Sequence, residues 1–304
     1  MERLFFAATV APSSPDNEVL MLFESLRTFG GELSDSPSIV LVSEAAGPLS
    51  DEVKERFQAL NVRLLPFALD EEARQFPFAS LAYASAQAEE HAKGKAELLV
   101  WMNSNTLVIN SPTDFLLSQG TNFAYRPVHH TKIGPVYEKP LDSFWAQIYQ
   151  HCGVEDGRAF PMETCVRDNT LRPYFNAGLF VVRPEQGLLE TWCDYFEQLY
   201  RHPDFKPFYE KDMLYGIFMH QAVLSGVVLN MCEQKELREL PETINYPLHL
   251  HDEYPPEYRP KALNELITCR YEGIKELPDV LKGIHVEEPL KSWLNERLEK
   301  ILLI

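Results

Sequence analysis

The sequence predicts an α/β protein with a mostly parallel central sheet and helices on both faces. Three observations carry this. Strand-like and helix-like segments alternate through the first hundred residues, the strand-like runs are short and apolar with no helical period, and no repeat or linker interrupts the 304 residues. One domain spanning 1–304 is therefore expected.

The elements follow in order. Residues 4–10 form an apolar run read as a buried strand. Val19, Leu22, Phe23 and Leu26 then recur on one helical face, and Gly30-Gly31 should end that helix. "SIVLVS" (38–43) is β-branched and strand-like. Ser50 is a natural cap for a helix that turns Val53, Phe57 and Leu60 inward. "NVRLLP" is the next strand, "ASLAYASAQAEEHAK" an Ala-rich helix, and "AELLVWM" a further strand. The second half is less regular. Residues 126–173 are rich in Pro, Gly and polar side chains, with one helix expected in "LDSFWAQIYQHC"; so long a connection is more often functional than idle. "GLFVV" (178–182) reads as a strand, 184–200 as a helix burying Leu188, Leu189, Trp192, Phe196 and Leu199, and 210–226 as another helix. Residues 241–289 read as Pro- and Tyr-rich loops with short strands, and 293–304 as a final helix with Leu294, Leu298, Ile301 and Leu302 on one face.

Composition narrows the partners. Lys+Arg 28 against Asp+Glu 45 gives a net charge of -17, which excludes a nucleic-acid or anionic-membrane partner needing clustered cations but leaves room for a small anionic ligand. Five cysteines, odd in number and without C-x-x-C spacing, suggest reduced thiols and a cytoplasmic protein. The N-terminal apolar run is too short for a signal peptide, and the longest apolar zone carries His220 and Gln221 in its middle, so no membrane insertion is expected. No G-x-G-x-x-G, P-loop, H-E-x-x-H or G-x-S-x-G occurs.

The most informative stretch is "LLVWMNSNTLV" (98–108). An apolar strand stops at Asn103-Ser104-Asn105, two amides one residue apart, at the kind of strand end where parallel sheets bind ligands. With three further stretches, "YFNAGLFVVRPEQGLLETW", "HQAVLSG" and "IHVEEPLKSW", it resembles the ordered motifs of the type-A glycosyltransferases, the nucleotide-diphospho-sugar transferase fold. It is most similar to the retaining family that includes glycogenin and bacterial lipopolysaccharide galactosyltransferases.

The resemblance implies a nucleotide-binding half over 1–110, an acceptor half with the C-terminal helix over 111–304, and transfer of a sugar from a nucleotide-sugar donor, UDP rather than GDP, to an unknown acceptor. In that family two aspartates and a late histidine hold manganese on the donor diphosphate; the matching positions are Asn103, Asn105 and His285. A bound manganese or magnesium ion is thereby implied, yet amides bring no charge to a hard cation, so binding is expected to be weak. Restoring both carboxylates is expected to strengthen it. Lys291 and Trp293 keep the family spacing after His285, which implies Lys291 as the cation on the diphosphate. Asn176 matches the residue that hydrogen-bonds the donor sugar, Gly178 allows close backbone approach, and Gln221 falls beneath the reactive carbon, where His220 replaces the usual aspartate. Asn103, Asn105, Gly178 and Lys291 are thus the donor-binding set, and Asn176 and Gln221 the catalytic pair.

The family's uracil-stacking tyrosine has no counterpart after the first strand. The other reading of three absent carboxylates is a catalytically silent module of this fold that binds a nucleotide, a glycan or a partner protein. Two residue groups fall outside the resemblance. His129-His130 and His249-x-His251 read as exposed loop histidines, the latter two on one face of a strand, and "DEYPPEYRP" as an acceptor-side loop. Two outcomes follow. Asn103 should lie at the carboxyl end of a central strand within reach of Asn176 and Gln221, and thiol titration of the unfolded, unreduced chain should count five free cysteines.

Overall fold

A computed structural model describes the backbone of residues 1–302 and the side chains of residues 1–299. The first part alternates as expected: β1 (Glu2–Val10), α1 (Asp16–Phe29), β2 (Ser38–Ser43), α2 (Asp51–Ala59), β3 (Val62–Phe67), the short α3 (Glu71–Gln75), α4 (Ala79–Ala92) and β4 (Ala96–Met102). Next come β5 (Thr106–Val108), β6 (Phe123–Pro127), α5 (Ser143–Cys152), the two-residue strands β7 (Met162–Glu163) and β8 (Thr170–Leu171), and β9 (Phe175–Val182). The chain closes with α6 (Leu188–Tyr200), α7 (Lys206–Lys211), α8 (Met213–Met231), β10 (Leu237–Glu239), β11 (Tyr246–Pro247), β12 (Thr268–Arg270), α9 (Leu277–Leu281) and α10 (Leu290–Leu302).

The main sheet has the order β10-β6-β9-β4-β1-β2-β3. Every neighbouring pair is parallel except the two made by β9, which runs against β4 and β6. The carboxyl ends of β4 and β6 therefore meet the beginning of β9. Residues alternate between the sheet's faces, as the period of two requires. Val100 and Val181 pack with Phe6, Phe23 and Leu26 under α1. Trp101 and Phe180 pack with Trp192, Phe196 and Leu224 under α6 and α8. A small second sheet, β11-β12-β5, builds a third apolar cluster with Tyr246, Cys269 and Tyr271, against which Trp293, Leu294 and Leu298 of α10 settle.

Several boundaries depart from the expectation, each for a local reason. The helix expected over 184–200 is interrupted at Gly187, whose φ of 65° separates a turn at Pro184–Gln186 from α6. The one expected over 210–226 is divided at Asp212, whose carboxylate accepts from the Leu214 amide at 2.9 Å and caps α8. β6 lay hidden because Arg126 and Pro127 make it look polar; Arg126 is buried and donates to Glu239 at 2.9 Å and to the Leu240 carbonyl at 2.8 Å. The expected inward positions Ile301 and Leu302 have side chains outside the described residues, as residues 303 and 304 are altogether. α8 is long and apolar enough to cross a membrane, but 67% of that window is buried inside the fold.

α8 matters because it carries Gln221. Its position is fixed from one side by a close approach to α5: a Cβ added at Gly226 would lie 2.7 Å from the Cys152 sulfur and 2.9 Å from its Cβ. Gly226→Ala should push the helices apart and destabilise the protein by about 1–3 kcal/mol. Urea unfolding followed by circular dichroism measures this.

Candidate active site at the carboxyl ends of β4 and β6

β9 begins beyond the end of β4. The last residue of β4, Met102, pairs with Leu179, and the Asn103 amide still donates to the Gly178 carbonyl at 2.7 Å. Past that point the earlier amides of β9 lack a β4 partner, and α8 supplies acceptors instead. The Ala177 N–H donates to Gln221 Oε1 at 3.0 Å, and the Phe175 N–H donates to Ser225 Oγ at 3.1 Å. Gln221 and Ser225 are one helical turn apart, so one face of α8 satisfies alternate amides of the strand.

Asn176 points between these two amides. Its Oδ1 accepts from the Gly178 amide at 2.8 Å and from Asn245 Nδ2 at 3.3 Å, and its Nδ2 faces His129 Nε2 at 3.4 Å. Burial, then the Arg270 charge, holds the His129 pKa well below its usual value. An amide Nδ2 can only donate, so His129 Nε2 is the acceptor in this contact. Gly178 is the point of convergence. A Cβ there would lie 2.8 Å from Asn176 Oδ1, 3.2 Å from Asn103 Nδ2 and 3.4 Å from Arg270 Nη1.

Around this centre is a cavity of about 220 Å³ bordered by Asn176, Gln221, His129, His249 and Arg270, with Lys132 at its edge. His220, one residue from Gln221, does not line it. Its Nδ1 contacts the Ile217 carbonyl at 3.0 Å, its ring lies 5.1 Å from Phe78, and burial pushes its pKa down to about 3. At the same sheet edge, a wider cavity of about 1160 Å³ opens where α1 and α2 begin, with Glu24 held between Arg56 at 2.7 Å and Arg297 at 2.8 Å.

The structure thus brings Asn103, Asn176, Gly178 and Gln221 together at the carboxyl end of a central strand. Asn105 stands beside them but faces away. Its Nδ2 donates to the carbonyls of Tyr271 at 2.5 Å and Glu272 at 3.4 Å, while the Tyr271 amide donates back to the Asn105 carbonyl at 3.1 Å. The next turn of this crossing segment is tied down by Glu18, which accepts from Ile274 N at 3.1 Å and Ser104 Oγ at 3.0 Å. Residues 271–274 therefore lie as a strap over the Asn-Ser-Asn stretch.

His285 and Lys291 are elsewhere. They share a separate surface hollow with Leu281 and Leu294, and the His285 ring is largely exposed, 3.7 Å from Glu287. The strap and the pairing of residue 262 with residue 285 hold them on that side. Asn103, Asn105 and His285 consequently do not assemble a donor set for a divalent ion. One is 3.2 Å from the Gly178 Cβ position that Arg270 approaches within 3.4 Å, one spends its amide on the strap, and the third lies in another hollow. Among the described residues, the His/Cys/Asp/Glu group spaced for a metal is His151, His202 and Asp204, away from this cavity.

The histidines expected as exposed loop residues are half-buried instead. His129, His130 and His249 border the cavity, with His249 3.0 Å from Glu272 and His130 3.5 Å from Glu253. His249 and His251 lie on a 3-10 turn (Leu248–Glu253) rather than a strand, and His251 Nδ1 is 3.0 Å from the Tyr246 hydroxyl. Sequence reasoning also missed Arg270. Only its place in an apolar, strand-like "ITCR" run hinted at burial.

The chain thus has a mostly parallel sheet with one reversed strand, with amides and one guanidinium gathered at its carboxyl edge. Residues 9–216 match the Rhodobacterales glycosyltransferase domain, and the chain belongs to that family. The matched span includes Asn103, Asn105, Asn176 and Gly178 and ends before Gln221 and Arg270. No curated protein matches. Among solved structures, an active-site mutant of LgtC, glutamine to glutamate, shares the fold at 14% identity and a TM-score of 0.51, over 89% of this chain and 87% of that one.

The Asn105 contacts give a direct test. An aspartate there cannot donate to either carbonyl and would set a carboxylate against both. Asn105→Asp should lower stability by about 1–3 kcal/mol, whereas Asn103→Asp should cost less, because it breaks no such pair of hydrogen bonds and sets its carboxylate near the Arg270 guanidinium. Chemical denaturation of the two single variants measures the difference.

Proposed function

We propose that this glycosyltransferase domain moves a sugar from a UDP-type nucleotide-sugar to an acceptor with retention of configuration. The observation that carries the reading is the meeting of Asn176 and Gln221 in one cavity, at the carboxyl ends of β4 and β6, in a chain of a glycosyltransferase family. In this reading Asn176 hydrogen-bonds the donor sugar and Gln221 stands beneath its reactive carbon. The Gln221 carbonyl has a lone pair beyond the one that accepts from Ala177, and a fixed dipole there stabilises positive charge developing as the diphosphate leaves. The LgtC structure sharing this fold also carries a replaced active-site glutamine, and Gln221 is our candidate for that place. The segment after His249 and Leu250, with Tyr258 at its exposed end, would face the acceptor. Five unbridged cysteines agree with a reducing, cytoplasmic setting.

The strap over Asn-Ser-Asn supports a second reading, a module that binds nucleotide or glycan without turning it over. One experiment separates them: the chain is incubated with a panel of UDP- and GDP-sugars and release of the nucleoside diphosphate is followed. Turnover supports transfer; tight binding of a donor without turnover supports the silent module. Under the transfer reading, Gln221→Glu keeps an acceptor for the Ala177 amide and should fold normally, while kcat falls by about 10²-fold and donor affinity changes little. An unchanged kcat would assign Gln221 to holding β9 alone.

A further inference from the structure

Arg270 is the residue that the transfer reading leaves unexplained. It ends β12 and places its guanidinium against Gly178, in the cavity that holds Asn176 and Gln221. Its Nε is buried with no hydrogen-bond partner. Among the described residues no carboxylate comes within ion-pair distance of it, and the nearby acid, Glu272, is instead 3.0 Å from His249. A half-buried guanidinium that lines a cavity and carries an unpartnered N–H has donors to offer an anion there. The same position disfavours a divalent cation, because a fixed positive charge already stands where the ion's charge would be needed. Around it the cavity adds Lys132, and the acid that lines it, Glu272, lies against His249. A chain of net charge -17 thus carries a local concentration of positive charge where an anion would sit.

We infer that the cavity binds the diphosphate end of its nucleotide ligand directly on the Arg270 guanidinium, with no divalent metal between them. That the ligand is a donor's diphosphate rests on the transfer reading above; that the site takes a phosphate anion without metal does not. The fork of a guanidinium matches two phosphate oxygens, and it gives the leaving group the charge that a metal would otherwise supply.

The test is calorimetric titration of the metal-stripped chain with UDP and with inorganic pyrophosphate, once with EDTA and once with excess manganese. Both probes should bind with EDTA present, and manganese should shift Kd by less than about threefold. Arg270→Gln should weaken both by more than about tenfold, and Arg270→Lys should recover part of the loss. Binding that requires manganese, or no binding of either probe, overturns the inference on the natural chain, whatever the variants' folding. Pyrophosphate binding equally well to Arg270→Gln with an unchanged melting temperature overturns it too. Turnover measured on the same samples keeps the two readings apart: manganese-dependent sugar release sustains transfer and ends the metal-free site. Metal-free pyrophosphate binding with no turnover of any donor sustains the anion site and ends transfer.

Discussion

Much of this molecule hangs on how β9 is held at its free beginning. The strand runs against its neighbours and outruns β4, leaving backbone donors that would otherwise be buried without acceptors. Gln221 and Ser225 accept from two of them. The contact fixes the height of α8 against the sheet, and with it the place of every side chain that meets over Gly178. A residue that reads as reactive is thus also a fastener. That double duty explains why Gln221 is 7% exposed yet borders the cavity.

Electrostatics at this centre follow from burial more than from net charge. The chain is strongly acidic overall, but the cavity wall combines amides and imidazoles with Arg270, Lys132 and a single acid, Glu272. Desolvation and then the Arg270 charge hold the His129 pKa well below its usual value. The arrangement places the Arg270 guanidinium beside the amides of Asn176 and Gln221, a charged group next to neutral polar ones. A ligand with a charged end and a hydroxyl-rich end suits such a division.

The alternating first half was legible because its strands and helices differ in period and are bounded by caps and glycines. β1 to β4 and the helices between them were read from residues 4–102 alone, apart from the short α3. The Asn-Ser-Asn stretch was legible as a strand end because an apolar run stops there. What stayed hidden was made by long-range pairing. β6 and β12 are short, contain arginine, and become strands only through partners far away in the chain. His129, His249 and Arg270 come from three segments that no local period connects. The C-terminal pattern misled in the opposite way: His285, Lys291 and Trp293 keep a familiar spacing, but Trp293 serves to pack on Phe29, with ring centroids 5.4 Å apart. The spacing outlines a helix docking on α1 rather than a wall of the cavity.

The strap has a consequence for how this sequence can change. Asn105 and Glu18 hold residues 271–274 from beneath, one as a donor and one as an acceptor, and the segment leads directly from Arg270. A path toward a carboxylate pair at 103 and 105 therefore cannot begin at 105, because that first step loosens the strap before any ion is gained. It would have to begin by giving residues 271–274 another anchor and moving the guanidinium away. Beginning at 103 keeps the fastener, but the following change at 105 still releases the strap while the guanidinium stands at the site.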